Sequence, residues 1–465
     1  MNNSFFKKFS YSTVSMILIQ VIQLLVVLII SRDMETDRFG DFTVAMLIMN
    51  LGLLLSECGS GSYLICSKKF DRETLSTCLT VNVLFSLVIY GVILIFGYLL
   101  KNYINIDLLA VTLLSSSVIF LSCSQVPKSI LEFRGDFELL AKCDIFASVI
   151  TFIFSVILNS FSIDGIYVLI AFSVMFSFVK TVLYFICSNW FPYTLRLNSD
   201  VTREIWSFSF PLVLNNLLVF FSRNNDQIII GRLLGAGALG AYGMAMRLTL
   251  QPILRLTSIL QRILLPDLSK AGVRSEINDI LTKTSNNIVL ILLPLSLVIY
   301  FGATDMVYLL LGGNWEGIIP IVQGTMFLPL IYALIQLAQT VLLSRSKTKI
   351  LFKIQLFSTA ISVLFVFVSS FFFGINYVAP FLSFAMAITL LICIFYLEKS
   401  LRIKFRVDKN IFVFFIMLFI FTYTVFNIIQ TYDRSFLFSI FSLLTISFST
   451  LLSTLVFFKY YSRRV

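Results

Sequence analysis

The chain has 465 residues, 58% hydrophobic and 13% charged, with a mean hydropathy of +0.95. This composition excludes a soluble globular domain and predicts a polytopic membrane protein. Lys and Arg outnumber Asp and Glu by 35 to 24, and the absence of histidine excludes a His-ligated metal or a His base.

Apolar runs of spanning length occur at 12–30, 42–64, 77–100, 108–127, 143–161, 166–188, 207–230, 239–265, 286–311, 318–343, 351–373, 377–397, 411–430 and 436–458. They predict an all-α protein of about 14 transmembrane helices. The run 286–311 is the least regular, with Pro294 inside it and Asp305 near its end. The first run follows two lysines in MNNSFFKKF and has no small-residue cleavage site, so it reads as a retained span and not a signal peptide. Cys58, Cys66, Cys78, Cys123, Cys143, Cys187 and Cys393 lie in or beside apolar runs with no CxxC spacing. They read as packing residues in preference to disulfide partners or metal ligands.

With the N-terminus placed inside, 25 of the 35 Lys and Arg fall in inner segments. Five more, Arg32, Arg38, Lys101, Arg232 and Arg434, fall in outer loops. That bias puts both termini on the cytoplasmic side. The net charge of +11 is then accounted for by attraction to anionic membrane lipids, and no nucleic acid partner is called for.

Residues 29–46 align without gaps on 229–246, with Ile29/Ile229, Ile30/Ile230, Arg32/Arg232, Gly40/Gly240, Ala45/Ala245 and Met46/Met246 identical. The two copies sit at equivalent turns, after spans one and seven, which predicts a parallel repeat about an axis along the membrane normal. The expected organisation is an N-terminal bundle over 1–188 (helices 1–6), a cytoplasmic linker over 189–206 and a C-terminal bundle over 207–397 (helices 7–12). Helices 13–14 and a cytoplasmic tail would occupy 398–465.

Lys180, Arg223, Arg247, Arg255 and Arg262 are the cations inside spans. Charge there is costly and reads first as functional. On a helix, Arg247, Gln251, Ser258, Arg262 and Arg255 fall within about 80° of one another, while leucines and isoleucines take the other arc. The preceding span carries Asn215, Asn216, Ser222, Arg223 and Asp226 within about 120°. Two adjacent polar stripes predict a shared cationic cavity for an anionic substrate such as a phosphate or diphosphate head group.

A plainer account stands beside each residue. Asp226 and Arg247 lie at similar depth on antiparallel spans and read equally as a structural or gating ion pair. Arg262 and Lys180 are near the inner surface, where snorkelling competes with lining the cavity. Arg255 is mid-span and is the best candidate for substrate contact. Glu57, followed by Cys58, Gly59, Ser60 and Gly61, is a candidate coupling residue or the partner of a cytoplasmic-side cation. Gly231, Gly235, Gly237 and Gly240 fit a tight turn and close helix packing better than a phosphate loop, since no Walker lysine follows. With no nucleotide motif and no large outer loop, the sequence predicts a secondary transporter, not an enzyme, and no cofactor or metal.

The run Asp226-x-Ile-Ile-Ile-Gly-Arg-x-x-Gly-x-x-x-Leu-Gly-x-Tyr-x-x-Ala-x-Arg247, with Pro252 and Arg262-x-x-x-Pro266, resembles the Wzx-type polysaccharide and O-antigen flippases. These belong to the multidrug/oligosaccharidyl-lipid/polysaccharide (MOP) exporter superfamily. The Glu57 segment and residues 126–144, with Arg134 and Phe137, are similar to the same family. The resemblance implies a MATE-like, V-shaped pair of bundles that opens alternately to each side of a bacterial inner membrane. It implies as cargo an undecaprenyl-diphosphate-linked oligosaccharide, an O-antigen or capsule repeat unit, moved from the cytoplasmic to the periplasmic leaflet. The polymerase and chain-length proteins of the same glycan pathway become candidate partners. Two other functions stay open: a drug or cation exporter of the same superfamily, and a non-transporting scaffold of a glycan assembly complex.

Overall fold

The computed structural model describes residues 3–56, 59–100, 107–161, 163–192, 197–271, 273–403, 405 and 409–430. Among them the secondary structure is entirely helical. The chain divides into two compact units, Met1–Asn224 and Asn225–Val465.

The first unit opens with α1 (Asn3–Ser31) and α2 (Thr36–Ser56), followed by the short α3 (Ser60–Ser67) and the long α4 (Arg72–Leu100). It continues with α5 (Leu108–Ser115), α6 (Ser117–Arg134), α7 (Phe137–Ser160) and α8 (Gly165–Ser188). Side chains set where several of these begin. Asp71 accepts from the Thr74 amide at 2.9 Å ahead of α4, and Asp107 accepts from the Ala110 amide at 3.2 Å ahead of α5. Each supplies an acceptor to an amide that the helix cannot satisfy. Gly135 ends α6 in the left-handed region, at φ 78°. Gly59 separates α2 from α3 with φ 63°, so predicted span two is two helices.

The ninth helix, α9 (Ser199–Thr249), starts within the segment expected to be a linker. The cause is local. Asn198 accepts from the Asp200 amide at 2.8 Å, and its amide group donates to Glu73 at 2.7 Å. Ile205, fully buried, then enters an apolar cluster with Tyr63, Leu64, Leu75, Leu79, Val126 and Ile130. The first turns of α9 are therefore part of the first unit's core.

In the second unit α9 breaks at Gly235, where φ 87° and ψ −178° interrupt the helix. That backbone is open to glycine and strained for other residues. After Leu250, α10 (Gln251–Lys270) begins with Pro252 in its first turn. Proline tolerates that position because the amide it lacks would be unpaired there. Then come α11 (Arg274–Phe301), α12 (Ala303–Leu310), α13 (Ile319–Gly324) and α14 (Leu328–Ser344). The break in predicted span nine is at Gly302; Pro294 lies inside α11 without ending it. Predicted span ten bends by 44° between a segment ending at Gly324 and α14. The unit continues with α15 (Thr348–Phe372), α16 (Ile375–Tyr396) and α17 (Lys409–Gln430). Here α14 packs on α10 and α16, α15 on α16, and α17 on α11.

Among the described residues ten helices are long and apolar enough to span a membrane, or eleven with the bent pair counted as one span. The protein is thus a multi-pass, all-α membrane protein. The last predicted span, 436–458, lies outside the described residues.

Candidate functional site

Two of the singled-out arginines, Arg255 and Arg262, lie on α10. Its buried side chains, Ile253, Thr257, Ile259 and Leu268, face the core, as the pairing with α14 requires. Gln251, Arg255 and Arg262 reach the protein surface, and Ser258 is half-buried. The amphipathic split follows the helical period of the sequence. Among the described residues neither the Arg255 nor the Arg262 guanidinium has a hydrogen-bond or ion-pair partner. The C-terminal end of α10 is tied down separately. Arg345 donates to the carbonyls of Leu268 and Ala271, which would otherwise be left open at the helix terminus. Gln336 of α14 donates to Gln261.

In α9, Asn215, Asn216 and Arg223 are exposed and belong to the first unit. The Arg223 side chain also has no protein partner among the described residues. Asp226, three residues on, belongs to the second unit and is half-buried. The chain reversal at Gly235 brings Tyr242 back beside it, and the Tyr242 hydroxyl donates to Asp226 Oδ2 at 2.6 Å. The Gln227 amide donates to the other carboxylate oxygen at 2.9 Å. Next to it, Asn225 donates to Ser362 of α15 at 3.2 Å. Arg247 is half-buried near the end of α9.

Sequence reasoning missed the Tyr242 contact, although Tyr242 stands in the run that carries the family resemblance. The signal available was a tyrosine 16 residues from the aspartate across a Gly-rich turn.

Lys180 is neither snorkelling freely nor open. Its ammonium meets Asp144 Oδ1 at 3.0 Å, and the Tyr184 hydroxyl donates to the same oxygen at 2.7 Å. The Phe176 and Tyr184 rings lie 5.6 and 5.3 Å from the ammonium. Asp144 was the unread partner, a lone acid in an apolar run. Arg134 donates to the Ser188 carbonyl at 2.9 Å and so caps α8. Glu57 lies outside the described residues. Among the described residues no three acidic or thiol side chains gather as a metal-ligand set.

Residues 29–320 match the polysaccharide biosynthesis protein family model. The chain belongs to that family, and the resemblance to Wzx-type exporters read from the sequence is borne out. It is 24% identical over 324 residues to an uncharacterized membrane protein in the cps region of Klebsiella pneumoniae, covering 68% of this chain and 66% of that one. It is 22% identical over 354 residues to the lipopolysaccharide biosynthesis protein WzxC of Escherichia coli, covering 75% of this chain and 72% of that one. The matches thus span about two thirds of these relatives' own lengths. The fold is that of the lipid II flippase MurJ in an inward closed conformation, with a TM-score of 0.75, 14% identity, and coverage of 97% of this chain and 99% of that one.

Proposed function

We propose that this protein is a secondary-transport flippase. Its cargo would be an undecaprenyl-diphosphate-linked oligosaccharide, an O-antigen or capsule repeat unit. It would carry that cargo from the cytoplasmic to the periplasmic leaflet of a bacterial inner membrane, with both termini cytoplasmic. The observation that carries the reading is the state of Arg255. It is an exposed guanidinium on the polar face of an amphipathic helix, with no acceptor among the described residues. Placed within the bilayer, as this reading has it, an unpaired cation is expensive unless something anionic meets it. A diphosphate offers the paired oxygens that a guanidinium fork engages in a bidentate way.

In this mechanism the lipid tail stays in the bilayer while the sugar and diphosphate cross. Arg255 and Arg262 form successive cationic contacts, with Gln251 hydrogen-bonding nearby. Asp226, held by Tyr242, keeps the α9 reversal in place and, with Arg247, contributes to gating. Nothing here calls for covalent chemistry.

The test is surface glycan on a deletion strain, normalised to membrane-inserted protein. Arg255→Lys keeps the charge but loses the fork, so partial export is expected. Arg255→Gln should leave little and Arg255→Glu none, at wild-type protein levels. Arg262 should follow the same order with smaller effects. Wild-type export by Arg255→Glu would remove the arginine from the cargo path.

A further inference from the structure

The Lys180–Asp144 pair does more than neutralise two charges; it fixes the register of α7 against α8. Lys180, Tyr184 and Cys187 follow one another at four and three residues, so they line one face of α8. On α7, Asp144 receives both Lys180 and Tyr184, and Cys143 is its chain neighbour. The consequence is a thiol pair. Cys143 Sγ and Cys187 Sγ lie 3.3 Å apart, both reduced. Leu131, Leu140 and Tyr184 wall them in. No other pair of cysteines is in contact among the described residues.

We propose that Cys143 and Cys187 are a modification site, an oxidisable dithiol that closes to a disulfide on reaction with a hydroperoxide. The geometry is close to sufficient, since the sulfurs need to approach to about 2.05 Å between helices that already pack together. Access decides the order of events. Cys143 is 4% exposed, whereas Cys187 is half-buried in the last turn of α8. The Cys187 thiolate attacks the peroxide oxygen, the O–O bond breaks, and the alcohol or water leaves with a proton. Cys187 is then a sulfenic acid. Cys143 Sγ attacks Cys187 Sγ, the S–O bond breaks, and hydroxide leaves as water with the Cys143 proton. Two thiols lose two electrons and one hydroperoxide is reduced. The product ties the α7 and α8 ends together covalently where Lys180 and Asp144 already hold them.

The dithiol also fits its side of the membrane. These helix ends adjoin Lys128, Arg134 and Lys142, on the side that the charge bias makes cytoplasmic. In such a compartment thiols rest reduced, and the disulfides that do form are typically transient or redox-sensing.

The experiment uses the full chain in isolated membranes, treated with hydrogen peroxide, denatured and tagged with a polyethylene-glycol maleimide. Of the seven cysteines, two should lose their tags together, and dithiothreitol should restore both. Cys143→Ser and Cys187→Ser should each abolish the paired loss, and in Cys143→Ser the sulfenic acid at Cys187 should be trapped by dimedone. Peptide mapping of the oxidised wild-type chain should recover the Cys143–Cys187 linked peptide, a readout that does not depend on either variant inserting normally. Retention of all tags under peroxide, or a linked peptide joining other cysteines, would overturn the proposal. Thiol tagging reads the same whether or not the chain exports glycan, so this test is separable from the transport reading.

Discussion

Tyr242 shows how one hydroxyl holds a half-buried carboxyl group. Its donation to Asp226 is short, at 2.6 Å. Tyr242→Phe keeps the ring and removes the donor, leaving the carboxylate short of a partner. Loss of about 1–3 kcal/mol is expected, read as a lower thermal transition of the detergent-purified protein. An unchanged transition would show that another donor takes over. Lys180 invites a paired test. Lys180→Met strands Asp144, a mechanism that costs about 3–5 kcal/mol when burial is complete. With the two side chains 20% and 21% exposed, the cost should be smaller. Adding Asp144→Leu should recover part of the membrane-inserted protein, because no charge is then left unpaired, while the Tyr184 hydroxyl still loses its acceptor. At this scale the sequence showed which charges were out of place, Arg255 and Lys180 among them. It did not show the partner of Lys180, because Asp144 and Lys180 are 36 positions apart and meet only when α7 and α8 pack.

Elements were read from the sequence largely by their apolar runs, and their breaks less well. Pro294 looked like the interruption of span nine, yet α11 carries it and the chain breaks at Gly302. A proline withdraws one amide bond, and neighbouring helices can hold the rest of the ladder in place. Gly235 is the reverse case. It was read as one of several turn glycines, and it alone of the four adopts a positive φ, 87°. Gly235→Ala should therefore cost about 1–3 kcal/mol, although nothing beyond the adjoining stretch of its own chain lies within 4 Å of where its Cβ would go. Gly237→Ala is the control and should be near neutral, with expression and thermal shift as the readouts.

The cap of α4 adds a pH dependence. Burial pushes the Asp71 carboxyl up, but the Thr74 amide and hydroxyl, with Lys69 nearby, outweigh it and hold it below its ordinary value of 3.8. A depressed carboxyl contributes stability above the ordinary pKa and loses it as pH falls through the lowered one. Asp71→Ala should remove about 1 kcal/mol at neutral pH, and the difference from wild type should narrow in acid below the ordinary value.

For the whole molecule, the charge bias sets an expectation about orientation that is independent of any site. A reporter fused after Arg464 should be cytoplasmic, and one inserted near Ala236 should be periplasmic. Opposite readings at both positions would overturn the helix assignment.

Composition and apolar run length by themselves determined that this is an all-α, multi-pass membrane protein, because a bilayer fixes how many apolar residues a span needs. The motif around Asp226 to Arg247 pointed to the family, since it is local in the chain and legible without the fold. Tertiary structure alone decided that the first turns of α9 belong to the first unit, through Asn198 and Ile205. It alone decided that Tyr242 holds Asp226, that Asp144 holds Lys180, and that two cysteines called packing residues touch each other. The reason is common to all of these. Periodicity tells which face of a helix is polar, but the partner of a polar group is chosen by which helices pack and in what register, and that is a property of the folded chain.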